Sequence, residues 1–388
     1  MKFATRQGRL GTETAFEVLK RANELQAKGR EIVHLEIGEP DFDTAEHIIE
    51  AAVKALENGV THYGPSAGLP EVRECFADYM TRTRGVKYSL DEIVITPGAK
   101  PIISFALLAL VNEGDEVLCP DPGYPIYSSM INYIGATTVP YKLKEDLDFR
   151  IDFVELENLL TEKTKLIIIN SPQNPTGGVL TRDDLKRLSE IVIKNDLWVI
   201  ADEVYCYILY DGRKHQSIIQ FDGMKERSVI VDGHSKTYAM TGWRLGFGAM
   251  PVEVANHVAK LCTNFHSCTA GFVQLARKAA FEGPQECVRD MVSKFNGRRR
   301  LIIAELEKIE GITSRVPKGA FYAFPNISAF GIGSKKIQNF LLDDCGVATL
   351  AGIDFGAEGD NYIRLSYANS PENILKAMDM MRKGLKNL

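Results

Sequence analysis

The chain has 388 residues, enough for two or three domains with cores of their own, and its 45% hydrophobic and 25% charged residues are those of an ordinary globular protein. A net charge of −5 gives no electrostatic case for nucleic acid, and the longest apolar stretch, Ile102 to Val111, is too short to cross a membrane. Met1-Lys2-Phe3 leads into polar residues without a secretory pattern, and the seven cysteines form no CxxC pair, so they read as reduced core thiols of a cytoplasmic protein without a structural metal.

Taken in order, Thr14 to Lys28 has apolar residues at helical spacing and a stop at Gly29. The short apolar segment Ile32 to Ile37 runs into Gly38-Glu39-Pro40-Asp41-Phe42, with helices predicted at about 44–58 and 69–84 on either side of the turn-rich Thr61 to Gly68. From there the pattern becomes regular. Apolar strands are predicted at 92–96, 116–120, 137–141, 166–170, 197–201, 228–231 and 245–250, with helices at about 100–112, 124–134, 181–195 and 251–262. Strand–helix alternation with continuously apolar strands predicts an α/β fold, an open and mostly parallel sheet with helices on both faces. Beyond about residue 285 the pattern changes. A charged helix at 285–309, strand candidates at Gly319 to Phe324 and Tyr362 to Tyr367, and helices at 334–345 and from Pro371 predict a smaller α+β domain. The division expected is therefore 44–285 for the large domain and 286–388 for the small one, which the segment 1–43 joins. Arg298-Arg299-Arg300 reads as a solvated helix face, and Gly331 to Lys335 as a turn rather than a phosphate loop.

The chemistry-bearing residues fall at the carboxyl ends of these strands, where open α/β sheets bind ligands. Gly98-Ala99-Lys100 follows 92–96, and Tyr124 follows 116–120. Asn174 lies in Asn170 to Gly177 after 166–170, Asp202 ends 197–201, and Lys236 follows 228–231. A desolvated lysine amine can attack a carbonyl to form a Schiff base, and Arg244, eight residues on, offers a fork suited to phosphate. Together they point to pyridoxal phosphate. Asp202 would keep a pyridine nitrogen protonated, although a helix N-cap is an equal alternative. Tyr205 and Asn174 could donate to a phenolate oxygen, Tyr124 could stack on a ring, and the amides of Ala99 and Lys100 could bind phosphate. Each has a plainer reading in packing or turn chemistry. Arg364, alternating with apolar residues on a strand, could clamp a carboxylate or form a structural ion pair.

These residues, with Gly38 to Phe42, Asn170 to Gly177 and Ser235 to Gly246 in order, resemble the class I (fold type I) pyridoxal phosphate-dependent aminotransferases nearly end to end, and within them the bacterial and archaeal aspartate and aromatic branch. The resemblance implies that Lys236 carries the cofactor and shuttles the proton, Asp202 pairs with the ring nitrogen, and Tyr205 and Asn174 bind the phenolic oxygen. It also implies that Tyr124 stacks on the ring, and that Ala99, Lys100, Ser235 and Arg244 hold the phosphate. Tyr63 would reach the phosphate of a neighbouring subunit in a homodimer with shared active sites, while Gly38, Asn174 and Arg364 would bind substrate. The partners implied are an L-amino acid and a 2-oxo acid.

Gly233 stands where some relatives carry a serine, Pro101 where glutamine is usual, and Cys262 to Thr269, with His266, matches no specificity pattern. Lys100 is expected to serve an acidic side chain, and Phe321-Tyr322-Ala323-Phe324 to line a site that also accepts aromatic ones. A lyase or decarboxylase on the same fold is the alternative. A nicotinamide dehydrogenase is excluded because no GxGxxG follows a strand, and a cofactor-binding transcription regulator because no DNA-binding domain fits before Gly38.

Overall fold

A computed structural model describes residues 3–386 and 388. The segment Val33–His34 forms the first strand, β1. Eight strands then build the main sheet: β2 (Ile93–Thr96), β3 (Glu116–Asp121), β4 (Thr137–Lys144), β5 (Arg150–Ile151), β6 (Thr164–Asn170), β7 (Trp198–Asp202), β8 (Ser228–Gly233) and β9 (Gly246–Ala249). Their order is β2-β9-β8-β7-β6-β3-β4-β5. The run β8-β7-β6-β3-β4 is parallel, while β9 is antiparallel to both its neighbours and β5 is antiparallel to β4.

The central strands are buried along nearly their whole length, as their Val/Ile-rich runs require, because helices cover both faces. One face packs Phe76, Tyr79, Phe247 and Phe281; the other packs Ile102, Phe105, Tyr127 and Val258. Within the main sheet, two features escape the sequence reading. β5 is a two-residue pairing too short to show a period, and β4 runs on to Lys144.

The remaining strands are short: β10 (Tyr322–Ala323), β11 (Val347–Ala348), β12 (Leu350–Ala351) and β13 (Ile363–Ser366). β10, β13 and β12 form an antiparallel sheet, and β11 pairs in parallel with β1. The helices Glu286–Leu306 and Pro371–Leu385 pack against them around Phe295, Ile302, Leu365 and Met381.

The arginine run is not a solvated face. Arg298 and Arg299 are only 9% and 3% exposed, and only Arg300 faces solvent. Arg298 makes a two-bond pair with Asp41 and lies over Phe42, while Arg299 pairs with Asp211 and donates to the Pro317 carbonyl. Specific carboxylates and aromatic faces repay the burial of each guanidinium. As expected, Gly331 and Gly333 turn the chain, and the Ser334 amide that follows donates to Asp360.

Candidate active site

The carboxyl ends of β7 and β8 lie side by side, with Asp202 registered against Val231. A cavity of about 830 Å³ opens there, and the chain brings Gly38, Ala99, Lys100, Tyr124, Asn174, Asp202, Tyr205, Ser235, Lys236, Arg244 and Arg364 to its wall. Of the cofactor- and substrate-binding residues that the resemblance implies, Tyr63 alone lies outside it, 90% exposed.

Lys236 lies within the short turn of helix, His234–Thr237, that follows β8, and its ammonium donates to the Gly38 carbonyl. Burial holds its pKa down to about 8, against the opposing pull of Glu39. Roughly a tenth of it is therefore the free amine at pH 7. Asp202 is pushed up to about 6 by burial, although the Tyr127 hydroxyl donates to Oδ2 at 2.6 Å and the Val204 amide to Oδ1 at 3.2 Å. Tyr205 meets the Tyr322 hydroxyl at 2.8 Å. Asn170 anchors the turn after β6, its Oδ1 accepting from the Asn174 amide and its Nδ2 donating to the Asp202 carbonyl. The Asn174 Oδ1 accepts from Arg364 Nη1 at 3.1 Å, which leaves its NH2 to donate elsewhere. Arg364 also donates to the Glu36 carbonyl and packs on Tyr322 and Phe355, so the buried fork is held flat.

At the other end of the cavity, Ala99 begins the helix Lys100–Leu110 without a side-chain cap, and Pro101 occupies its first turn. Gly98 has φ +90°, and a Cβ there would overlap the Arg244 guanidinium. Its missing side chain is what lets Arg244 lie across the uncapped amides, a cradle for an anion. Arg244 itself has φ +52° and donates from Nη1 to the Thr241 carbonyl at 2.7 Å.

Sequence reasoning missed Tyr127, Tyr322 as the partner of Tyr205, Asn170 as an anchor, and Glu13. Tyr127 could have been found, since it follows Tyr124 by three residues and a helical turn places both on one side. Glu13, which lines the cavity and accepts from Lys100 and Tyr124, had no local signal, because both partners are distant in sequence. Phe321 to Phe324 does not line the site as a group. Only Tyr322 does; Phe321, its neighbour in sequence, faces the other way and packs on Phe295, while Phe324 lies past the end of β10 and stacks on Tyr362.

The model of the family described as aminotransferase class I and II matches residues 30–380. An aspartate aminotransferase from Pyrococcus abyssi is 40% identical over 95% of both chains, and aromatic-amino-acid aminotransferase 2 of Thermococcus litoralis is 40% identical over 92% of both. Among solved structures, an aromatic aminotransferase from Pyrococcus horikoshii superposes with a TM-score of 0.90 at 40% identity, covering 95% of this chain and 99% of that one. The aspartate aminotransferase of Rhizobium meliloti gives 0.95 at 31% identity over 100% and 99%.

The chain belongs to the class I and II aminotransferases. It is a pyridoxal phosphate-dependent transaminase of fold type I, acting between an amino acid and a 2-oxo acid. The residues present suit that cofactor. A buried carboxylate raised to about 6 is matched by a protonated pyridine nitrogen, the lowered Lys236 amine by an aldehyde, and the Gly98–Arg244 cradle by a phosphate.

Proposed function

We propose that the aminotransferase runs a two-stage ping-pong exchange in which Lys236 is the proton carrier, and the observation that carries this is the juxtaposition of Lys236 and Asp202 at adjacent strand ends in one cavity. When bound, pyridoxal phosphate supplies an aldehyde that takes up the amino group and a ring that accepts the electron pair left at the α-carbon. Asp202 holds the proton on the ring nitrogen, and Tyr127 keeps its carboxylate oriented. Tyr205 and Asn174 donate to the phenolic oxygen. The Lys236 amine, free in useful amounts at neutral pH, takes the proton from the α-carbon and returns it at the neighbouring carbon of the cofactor. Tyr124 covers the ring face, while Ala99, Lys100, Ser235 and Arg244 hold the phosphate. Arg364 clamps the substrate carboxylate beside Gly38.

The proposed substrates are glutamate as one donor and an acidic or aromatic amino acid as the second, in keeping with relatives named for aspartate and for aromatic amino acids. A homodimer is proposed because Tyr63 stands exposed outside the cavity of its own chain. The division into 44–285 and 286–388, with 1–43 joining the latter, is supported by the pairing of β1 with β11. The seven unbridged cysteines favour a cytoplasmic setting, and among the described residues no helix is long and apolar enough to cross a membrane.

The test is a panel of amino donors added to the cofactor-loaded protein, following conversion of the cofactor to its amino form. Conversion by glutamate and by at least one acidic or aromatic partner is expected. Decarboxylation or elimination without amino transfer would overturn the reading.

A further inference from the structure

The Lys100 side chain is not free to meet a substrate. Its ammonium pairs with Glu13 Oε1, and the same oxygen accepts from the Tyr124 hydroxyl at 2.7 Å. Glu13 immediately precedes the helix Thr14–Ala27, and Phe16 and Leu19 of that helix line the same cavity. The Glu13 side chain is 18% exposed, so the pair is sheltered on its carboxylate side. The cavity thus offers a substrate side chain a neutralised cation flanked by apolar surface. A second carboxylate entering there meets the negative charge of Glu13 and must compete with it for one ammonium. An uncharged side chain leaves the pair intact.

We propose that Glu13 is a specificity-determining residue, an internal carboxylate that occupies the acidic-side-chain position on Lys100 and biases the pocket towards uncharged, aromatic side chains. The inference takes its ligand class from the aminotransferase reading, but it concerns binding and not turnover. Because the Lys100 side chain is 43% exposed, solvent screens the effect, and a preference of roughly tenfold is expected rather than one of thousands.

The experiment measures dissociation constants of two unreactive acids, succinate and 3-phenylpropionate, on the cofactor-loaded protein by the change in cofactor absorbance. In Glu13→Gln, affinity for succinate relative to 3-phenylpropionate should rise about tenfold, and adding Lys100→Ala should abolish the gain. The ratio cancels any general loss of cofactor or folded protein, and Glu13→Ala provides a second variant. An unchanged or lowered ratio, or a gain that survives Lys100→Ala, overturns the proposal. A protein that binds both acids yet transfers no amino group from any donor would refute the functional reading while leaving this ratio readable.

Discussion

Asp202 is held against its own chemistry. In the cofactor-free protein, burial raises its pKa from 3.8 to about 6, so the folded state keeps a proton that the unfolded chain has released. Its contribution is undiminished below pH 4 and is lost as pH rises through about 6, on the order of 1–3 kcal/mol above that. Asp202→Asn should therefore raise the melting temperature of the cofactor-free protein at pH 8 more than at pH 4. The same change should cut transamination of the loaded enzyme at least ~10²-fold, since the ring nitrogen loses its anionic partner. A variant that is no more stable, or one that stays active, contradicts one half each. For Lys236 the sign is opposite. A pKa lowered from 10.5 to about 8 means that the amine appears early, and capture of pyridoxal phosphate by cofactor-free protein, trapped with cyanoborohydride, should rise with a midpoint near 8. Peptide mapping should place the label on Lys236; a midpoint near 10.5 would mean that the side chain is solvated.

Among elements, the start of the helix Lys100–Leu110 depends on two absent side chains. A Cβ on Gly246 would collide with the backbone of Gly98 and Ala99, and one on Gly98 with Arg244. Gly98→Ala also forces a non-glycine residue to φ +90°, at a cost of about 1–3 kcal/mol. It should weaken cofactor binding at least ~10-fold in a titration while circular dichroism stays unchanged; unaltered affinity would remove Arg244 from the phosphate site. The strand ends that carry the chemistry are braced from below. Arg84, at the end of the helix Pro70–Arg84, donates to Glu203 at 3.1 and 3.0 Å and to Asp232 at 2.9 Å. Those carboxylates adjoin Asp202 and the Lys236 turn. Arg84→Met would leave two buried charges without their cation, and a loss of about 3–5 kcal/mol is expected from denaturant midpoints. A loss below about 1 kcal/mol would show that Tyr79 and His215, which also contact them, suffice.

At the scale of the whole molecule, the cavity is walled by segments far apart in sequence: Glu13 and Gly38, the ends of β6 to β8, then Tyr322 and Arg364. Tyr63 is the exception, and its exposure leads to a prediction about assembly. If it serves a neighbouring subunit, dilution that dissociates the dimer should weaken cofactor binding, and Tyr63→Phe should weaken it where the dimer persists but not once the dimer has dissociated. Cofactor affinity independent of both would assign Tyr63 to the surface.

The alternation of apolar strands with helices, and the placing of Lys100, Asn174, Asp202 and Lys236 just past those strands, were legible in the sequence. Both are short-range: a buried parallel strand needs an unbroken apolar run, and its carboxyl end must be where the run stops. Which groups touch was decided only by the tertiary structure. Nothing near Glu13 announces that it will neutralise Lys100, eighty-seven residues away, and nothing near Arg298 and Arg299 announces the carboxylates that bury them. A charge reads as solvated until its partner is known, and the partner is supplied by the packing of distant segments.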